Sequence, residues 1–122
     1  VRKIAKTRNH SQIKQIILHD CERGVYLFPC TSLEDGFAIG DEWYESLEIA
    51  EETCSKEYGI TKNDWNTIPD SPEGCQQDWI TPVRVISRNI ENPHEVRLKK
   101  QVNGRWMEIE LKNGKWVDKN NL

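Results

Sequence analysis

The densest set of reactive side chains in the sequence is His19-Asp20-Cys21-Glu22, an imidazole, a thiol and two carboxylates within four positions. An imidazole beside a thiol can activate a nucleophile, and an acid can orient the imidazole, so this is where nucleophilic catalysis would sit. His10 and His94 stand apart from it, and no glycine-flanked nucleophile elbow surrounds any Ser or Cys. Neither G-x-x-x-x-G-K-S/T nor G-x-G-x-x-G occurs, so no phosphate cradle is signalled. Cys21, Cys30, Cys54 and Cys75 lie 9, 24 and 21 positions apart, with no C-x-x-C pair and no close His pair. That spacing fits neither a zinc ribbon nor a redox dithiol. His19 and Cys21 could supply two ligands from one strand end, but a closed tetrahedral site needs two more. The expectation is four free thiols, with Cys54 packed as a small hydrophobe, and no metal or cofactor.

Aromatic rings set among acids are the stronger lead. Asp41-Glu42-Trp43-Tyr44-Glu45 places two large rings in a carboxylate cluster, and Trp65 and Trp79 flank a loop holding Asp70, Glu73, Gln76, Gln77 and Asp78. Trp and Tyr are the usual anchors of protein interfaces, and acids around them select a basic partner. The charge distribution agrees: residues 1–19 carry +5, residues 20–80 carry −12 and residues 81–122 carry +4, within a net −3. A block that acidic repels nucleic acid and steers a cationic partner, if folding keeps the charges on one surface. The plain alternative is a solvated acidic face that keeps the protein in solution. The candidate partner-binding residues are therefore Asp41, Glu42, Trp43, Tyr44, Glu45, Glu48, Glu52, Asp70, Glu73 and Asp78. A chain with five tryptophans must bury most of them. Trp65 and Trp79 are expected largely in the core, and Trp43 and Tyr44 only partly so.

The elements that must position these residues can be read from pattern. Residues 1–12 are polar, basic and weakly periodic, as in a flexible basic arm or a remnant of cloning, and the folded domain is expected over 13–122. Ile13, Ile16, Ile17 and Leu18, then the turn-rich 20–24, then Val25-Tyr26-Leu27-Phe28 predict a β-hairpin with a loop of about four to five residues. Pro29 cannot donate to a ladder, so the second strand should end there or lie at an edge. Residues 33–41, with two glycines, read as a connecting loop. Ser46 is a good N-cap, Leu47, Ala50, Cys54 and Tyr58 form one buried stripe, and Gly59 closes the helix. Glu45, Glu48, Glu51 and Glu52 fall on its outer side with Lys56 as the counter-charge, and Glu48 repels Glu52 at i,i+4. Residues 60–78 are dense in Pro, Gly, Asp and Asn and predict a shaped loop, after which 79–86 resumes a strand pattern.

Asn103-Gly104 and Asn113-Gly114 divide 96–117 into a three-stranded meander with two type I′ turns. The first turn makes cross-strand partners sum to 207, which sets Val96 and Leu98 opposite Leu111 and Ile109 on one face. Arg97 and Lys99 then stand opposite Glu110 and Glu108 on the other. The result expected is an α+β domain: an antiparallel sheet, made of the N-terminal hairpin and the C-terminal meander, packed against one principal helix. Arg97, Lys99, Arg105, Lys112 and Lys115 beside Trp106 and Trp116 could contact nucleic acid, but Glu108 and Glu110 cancel part of that charge, so an ordinary paired surface is expected.

The chain length suits one domain, and 36% hydrophobic with 30% charged residues excludes collagen-like, low-complexity and disordered classes. No apolar run reaches the roughly 18–20 residues that span a bilayer, and no signal-peptide segment is seen, so a soluble cytoplasmic protein is expected. The succession 23–28, 41–50, 58–60, 68–70 and 74–80 resembles a group of small uncharacterised bacterial proteins over roughly residues 13–86, leaving the terminal meander unmatched. Such acidic single-domain proteins are similar in kind to toxin-immunity proteins. The resemblance implies a non-enzymatic binding protein whose acidic segment neutralises a basic protein partner, possesses no catalytic signature and carries over no functional residue. The alternatives are a small enzyme or ligand-binding domain using 19–22 or 65–79, and a nucleic-acid-binding module.

Overall fold

A computed structural model describes residues 1–92 and 95–119. The class is α+β: two antiparallel sheets and one α-helix. The chain divides into two compact units, Val1–Asp70 and Ser71–Leu122.

The first unit is a five-stranded sheet in the order β4-β3-β2-β1-β5, built from β1 (Arg2–Lys6), β2 (Gln15–Cys21), β3 (Gly24–Cys30), β4 (Glu42–Tyr44) and β5 (Asn66–Ile68). One face presents Ala5, Ile16, Leu18, Val25 and Leu27, all buried, to the helix α1 (Leu47–Tyr58). The helix answers with Ala50, Cys54 and Tyr58, one side chain per turn on the inner side, with Leu47 packed partly against them. Its ends form as the sequence suggests: the Ser46 hydroxyl accepts from the Ile49 N–H at 3.3 Å, and Gly59 closes the helix at φ +66°, its N–H donating to the Cys54 carbonyl.

The basic N-terminal segment is not an arm. β1 is an interior strand, with Arg2 opposite His19 on one side and Ile68 on the other. Its lysine and arginine stems are what disguise it, because long side chains can bury their methylenes while directing the charge to a partner. Arg2 is buried to 1% exposure, and its guanidinium donates to the Pro69 carbonyl from Nε at 3.0 Å and Nη2 at 2.7 Å.

The hairpin is tighter than expected. Cys21 pairs with Gly24, so only Glu22 and Arg23 turn the chain, and Asp20 and Cys21 belong to the strand. Pro29 is tolerated inside β3 because β4 pairs only with Val25, Tyr26 and Leu27. The side of Pro29 that lacks an N–H therefore faces a stretch where no strand runs, and its carbonyl accepts there from Ile39 N–H at 2.9 Å. The short strand β5 lies in the stretch read from sequence as a shaped loop, and β4 lies between the connecting loop 33–41 and the helix, where no strand was expected.

The second unit is the sheet β6-β7-β8-β9, from β6 (Val83–Arg88), β7 (Val96–Val102), β8 (Arg105–Lys112) and β9 (Lys115–Asp118). The predicted register holds, with Leu98 opposite Ile109 and Lys99 opposite Glu108. Both turns have Asn then Gly at positive φ, 51° and 78° for Asn103-Gly104 and 53° and 77° for Asn113-Gly114. The paired segment of β7 and β8 stops at Leu98 and Ile109, so Val96 and Arg97 do not face Leu111 and Glu110 as partners. Instead Arg97 reaches diagonally to Glu108, donating from Nε at 3.1 Å and Nη2 at 2.6 Å. β6 starts only after Pro82, while Trp79 is buried and meets Trp116 edge-on at 5.7 Å.

Candidate functional site

Strand alternation decides where the acid and aromatic cluster points. In β4, Glu42 stands opposite Leu27 and Tyr44 opposite Val25, which puts both on the helix side of the sheet, whereas Trp43 stands opposite Tyr26 on the other side. Tyr44 is half-buried against the core, and its phenol is held above the ordinary value by that burial and then by the Glu42 carboxylate. Trp43 remains 54% exposed, with its indole over Gly24 and its Nε1 donating to the Arg23 carbonyl at 2.8 Å. The two rings expected to anchor one surface therefore face opposite ways.

The acids are better gathered. Asp41, Glu42, Glu45, Glu48 and Glu52 are all exposed along β4 and the first half of α1. Glu52 accepts from Lys56 at 3.0 Å across one helical turn, an exposed pair of small energetic weight. Among the described residues no cation pairs with Asp41, Glu42, Glu45 or Glu48. Glu42 also helps push the Cys54 thiol and the Tyr58 phenol up to about 12 each, behind burial as the larger cause.

Glu48 and Glu52, together with Glu51, line a groove of about 350 Å³ whose opposite wall is Ile60, Thr61, Lys62 and Trp65. The wall is set by a 3-10 turn, Lys62–Asp64, in which Asp64 accepts from the Thr61 N–H at 2.7 Å and from its hydroxyl at 2.9 Å. Those hydrogen bonds, the backbone one foremost, hold the Asp64 carboxyl below its usual range, and Arg8 adds an ion pair at 2.6 Å. Lys3, projecting from β1 on the helix side, donates to Glu51, and its ammonium stands 5.2 Å from the centre of the Trp65 ring. Carboxylate and indole together hold a lysine head there.

Glu51, Trp65 and Lys3 were not among the candidate residues. The i, i+3, i+4 spacing of Glu48, Glu51 and Glu52 was a usable signal for the first, but nothing local announces that residues 61–65 fold back beside the helix. Asp70 closes the first unit, exposed, and its carboxylate lies 3.2 Å from the Val1 amino group. Glu73 is exposed and Asp78 half-buried in the second unit.

The 19–22 cluster is taken apart by the same alternation. His19 and Cys21 share one face of β2, Asp20 points to the other, and Glu22 lies in the turn. His19 is held below its ordinary value by burial and then by the N-terminal charge, with Asp70 opposing. Among the described residues no three or more His, Cys, Asp and Glu side chains converge as a metal site would need, and no helix is long and apolar enough to cross a membrane. No protein-family model, curated protein or solved structure matches the chain.

Proposed function

We propose that this chain is a non-enzymatic, cytoplasmic binding protein of the bacterial toxin-immunity type, which neutralises a basic protein partner through the acidic side of β4 and α1. The observation that carries the reading is the groove lined by Glu48, Glu51, Glu52 and Trp65, two of whose members, Glu51 and Trp65, already hold the protein's own Lys3 ammonium, while Glu48 has no cation partner among the described residues. A partner's lysine or arginine finds there the carboxylate and ring that pair with cations, and the surrounding acids, unpaired along 41–48, steer its approach. Trp65 takes the place that Tyr44 was expected to fill, and Trp43 lies outside this face.

The test is capture of the partner from the native bacterium, followed by association kinetics at two ionic strengths. Reversing Glu45 and Glu48 to lysine should slow association roughly ten-fold at low salt, with the difference shrinking as salt screens the field. A partner whose association ignores both salt and the reversals would refute the reading.

A further inference from the structure

The second unit gathers most of its cations on one face. Alternation and register place Arg84 of β6, Arg97 and Lys99 of β7, Lys112 of β8 and Lys115 and Lys119 of the β9 end on one side of the sheet. Two carboxylates share that side, Glu108 and Glu110. Glu108 is clasped by Arg97 at 2.6 Å and Lys119 at 3.0 Å, so it organises two of the cations and leaves the face net positive. The opposite side holds the apolar packing, with Val83, Leu98 and Ile109 buried and Trp116 against Trp79, and carries Arg88, Lys100, Arg105 and Asp118 as its charges. Arg105 and Trp116, grouped with the charged face on sequence, belong to this apolar side.

Trp106 lies within the basic face. Its ring has the Arg84 guanidinium carbon over it 4.8 Å from its centre and the Lys99 ammonium at 5.3 Å, so two cations of neighbouring strands lie over one half-buried indole, and Arg84 also donates from Nη2 to the Glu73 carbonyl at 3.0 Å. A base that displaces one of these cations stacks on the indole, and the displaced cation with its neighbours meets the phosphates on either side, which are the two elements that single-stranded nucleic acid requires. Three strand spacings of roughly 4.8 Å separate β6 from β9, which gives the positive face a breadth of a few nucleotides.

We infer that this face binds single-stranded nucleic acid, with Trp106 as the stacking platform and Arg84, Lys99, Lys112 and Lys115 as the phosphate contacts. The activity is independent of the protein-docking reading, because its residues lie in the other unit. A negative protein surface could satisfy the charges but would not use the ring, and that difference separates the two.

The test is fluorescence anisotropy of the whole chain with labelled twelve-nucleotide oligo-dT and oligo-U. Four phosphate contacts predict a log-log salt slope near −3, or about fifty-fold weaker binding between 50 and 200 mM salt. Trp106→Ala should weaken binding roughly ten-fold or more and Trp106→Phe much less, since base stacking is the interaction removed. Lys99→Glu with Lys112→Glu should abolish it, while Lys100→Glu, on the apolar side, should change it little. A preference between the two oligonucleotides identifies DNA or RNA as the natural source. Should Trp106→Ala lose its folded circular dichroism, the phenylalanine and lysine variants decide. Absence of binding at 20 mM salt, equal binding of polyglutamate, or indifference to the Trp106 and Lys99 changes would overturn the inference.

Discussion

Replacing Gly24 with alanine should destabilise the first unit, and the structure separates the reasons. Gly24 has φ +120°, a conformation that L side chains rarely adopt, and forcing it costs about 1–3 kcal/mol. A Cβ there would also stand 2.4 Å from Nε1 and 2.7 Å from Cε2 of Trp43, so the indole must leave its place over the turn. Leaving it breaks the Nε1 hydrogen bond to the Arg23 carbonyl, worth about 0.5–1.5 kcal/mol net. Together these give roughly 2–4 kcal/mol, and for a unit of this size that is a fall in melting temperature of about 10 °C or more. In a Trp43→Ala background the clash and the hydrogen bond are already gone, so Gly24→Ala should lose only the backbone part. The two changes should therefore couple by about 1 kcal/mol in a double-mutant cycle read by urea unfolding. Equal losses in both backgrounds would mean that the indole does not rest on Gly24, and no loss in either would refute the positive φ.

Two further predictions follow from the ionisable groups. Arg97 and then Lys119 hold Glu108 at about 2, below its ordinary 4.5, so the stabilisation it gives is complete above 4.5 and disappears as pH falls toward 2. The difference in unfolding midpoint between the parent and Glu108→Gln should thus narrow across that window, and a difference that stays constant from pH 6 to pH 2 would rule out the ion pair as its source. Cys54 is buried in the core with its thiol pushed up to about 12 chiefly by burial, whereas Cys21 is half-exposed. Alkylation of the folded protein at pH 8 should therefore label Cys21 first and all four thiols only after unfolding, and peptide mass spectrometry showing Cys54 modified as fast as Cys21 would contradict that packing.

The elements visible from sequence are those whose boundary chemistry is local. Ser46 and Gly59 mark the helix because a hydroxyl cap and a left-handed residue are requirements of the helix ends themselves. Asn103-Gly104 yields the β7–β8 register because a two-residue turn allows a single pairing. β1 was hidden because its inward positions are filled by residues that usually signal exposure. Arg2 is acceptable in the interior where Pro69, sixty-seven positions away, offers it a carbonyl. β4 and β5, three residues each, are too short to show a period and exist by pairing with β3 and β1. The division of the strands into two sheets was equally non-local, since each strand taken alone is compatible with either.

The acidic surface shows how far composition can go before geometry takes over. A run of acids is legible as a negative field wherever it lies, because the field at a distance depends on the sum of charges more than on their directions. A ring is different, since it anchors only on the side to which it points. Adjacent residues of a strand point to opposite sides, so Trp43 and Tyr44, one position apart, could never serve a single face once β4 paired with β3. The same pairing sends Glu42 to the side of the sheet on which α1, with Glu48, packs. Lys3, three strands away from β4 in the sheet order, reaches Glu51 and Trp65 by the same rule. The ring that does stand beside acids on the helix side is brought there from elsewhere in the chain: Trp65, packed partly on the core after the Thr61–Asp64 turn, lines the groove with Glu48, Glu51 and Glu52.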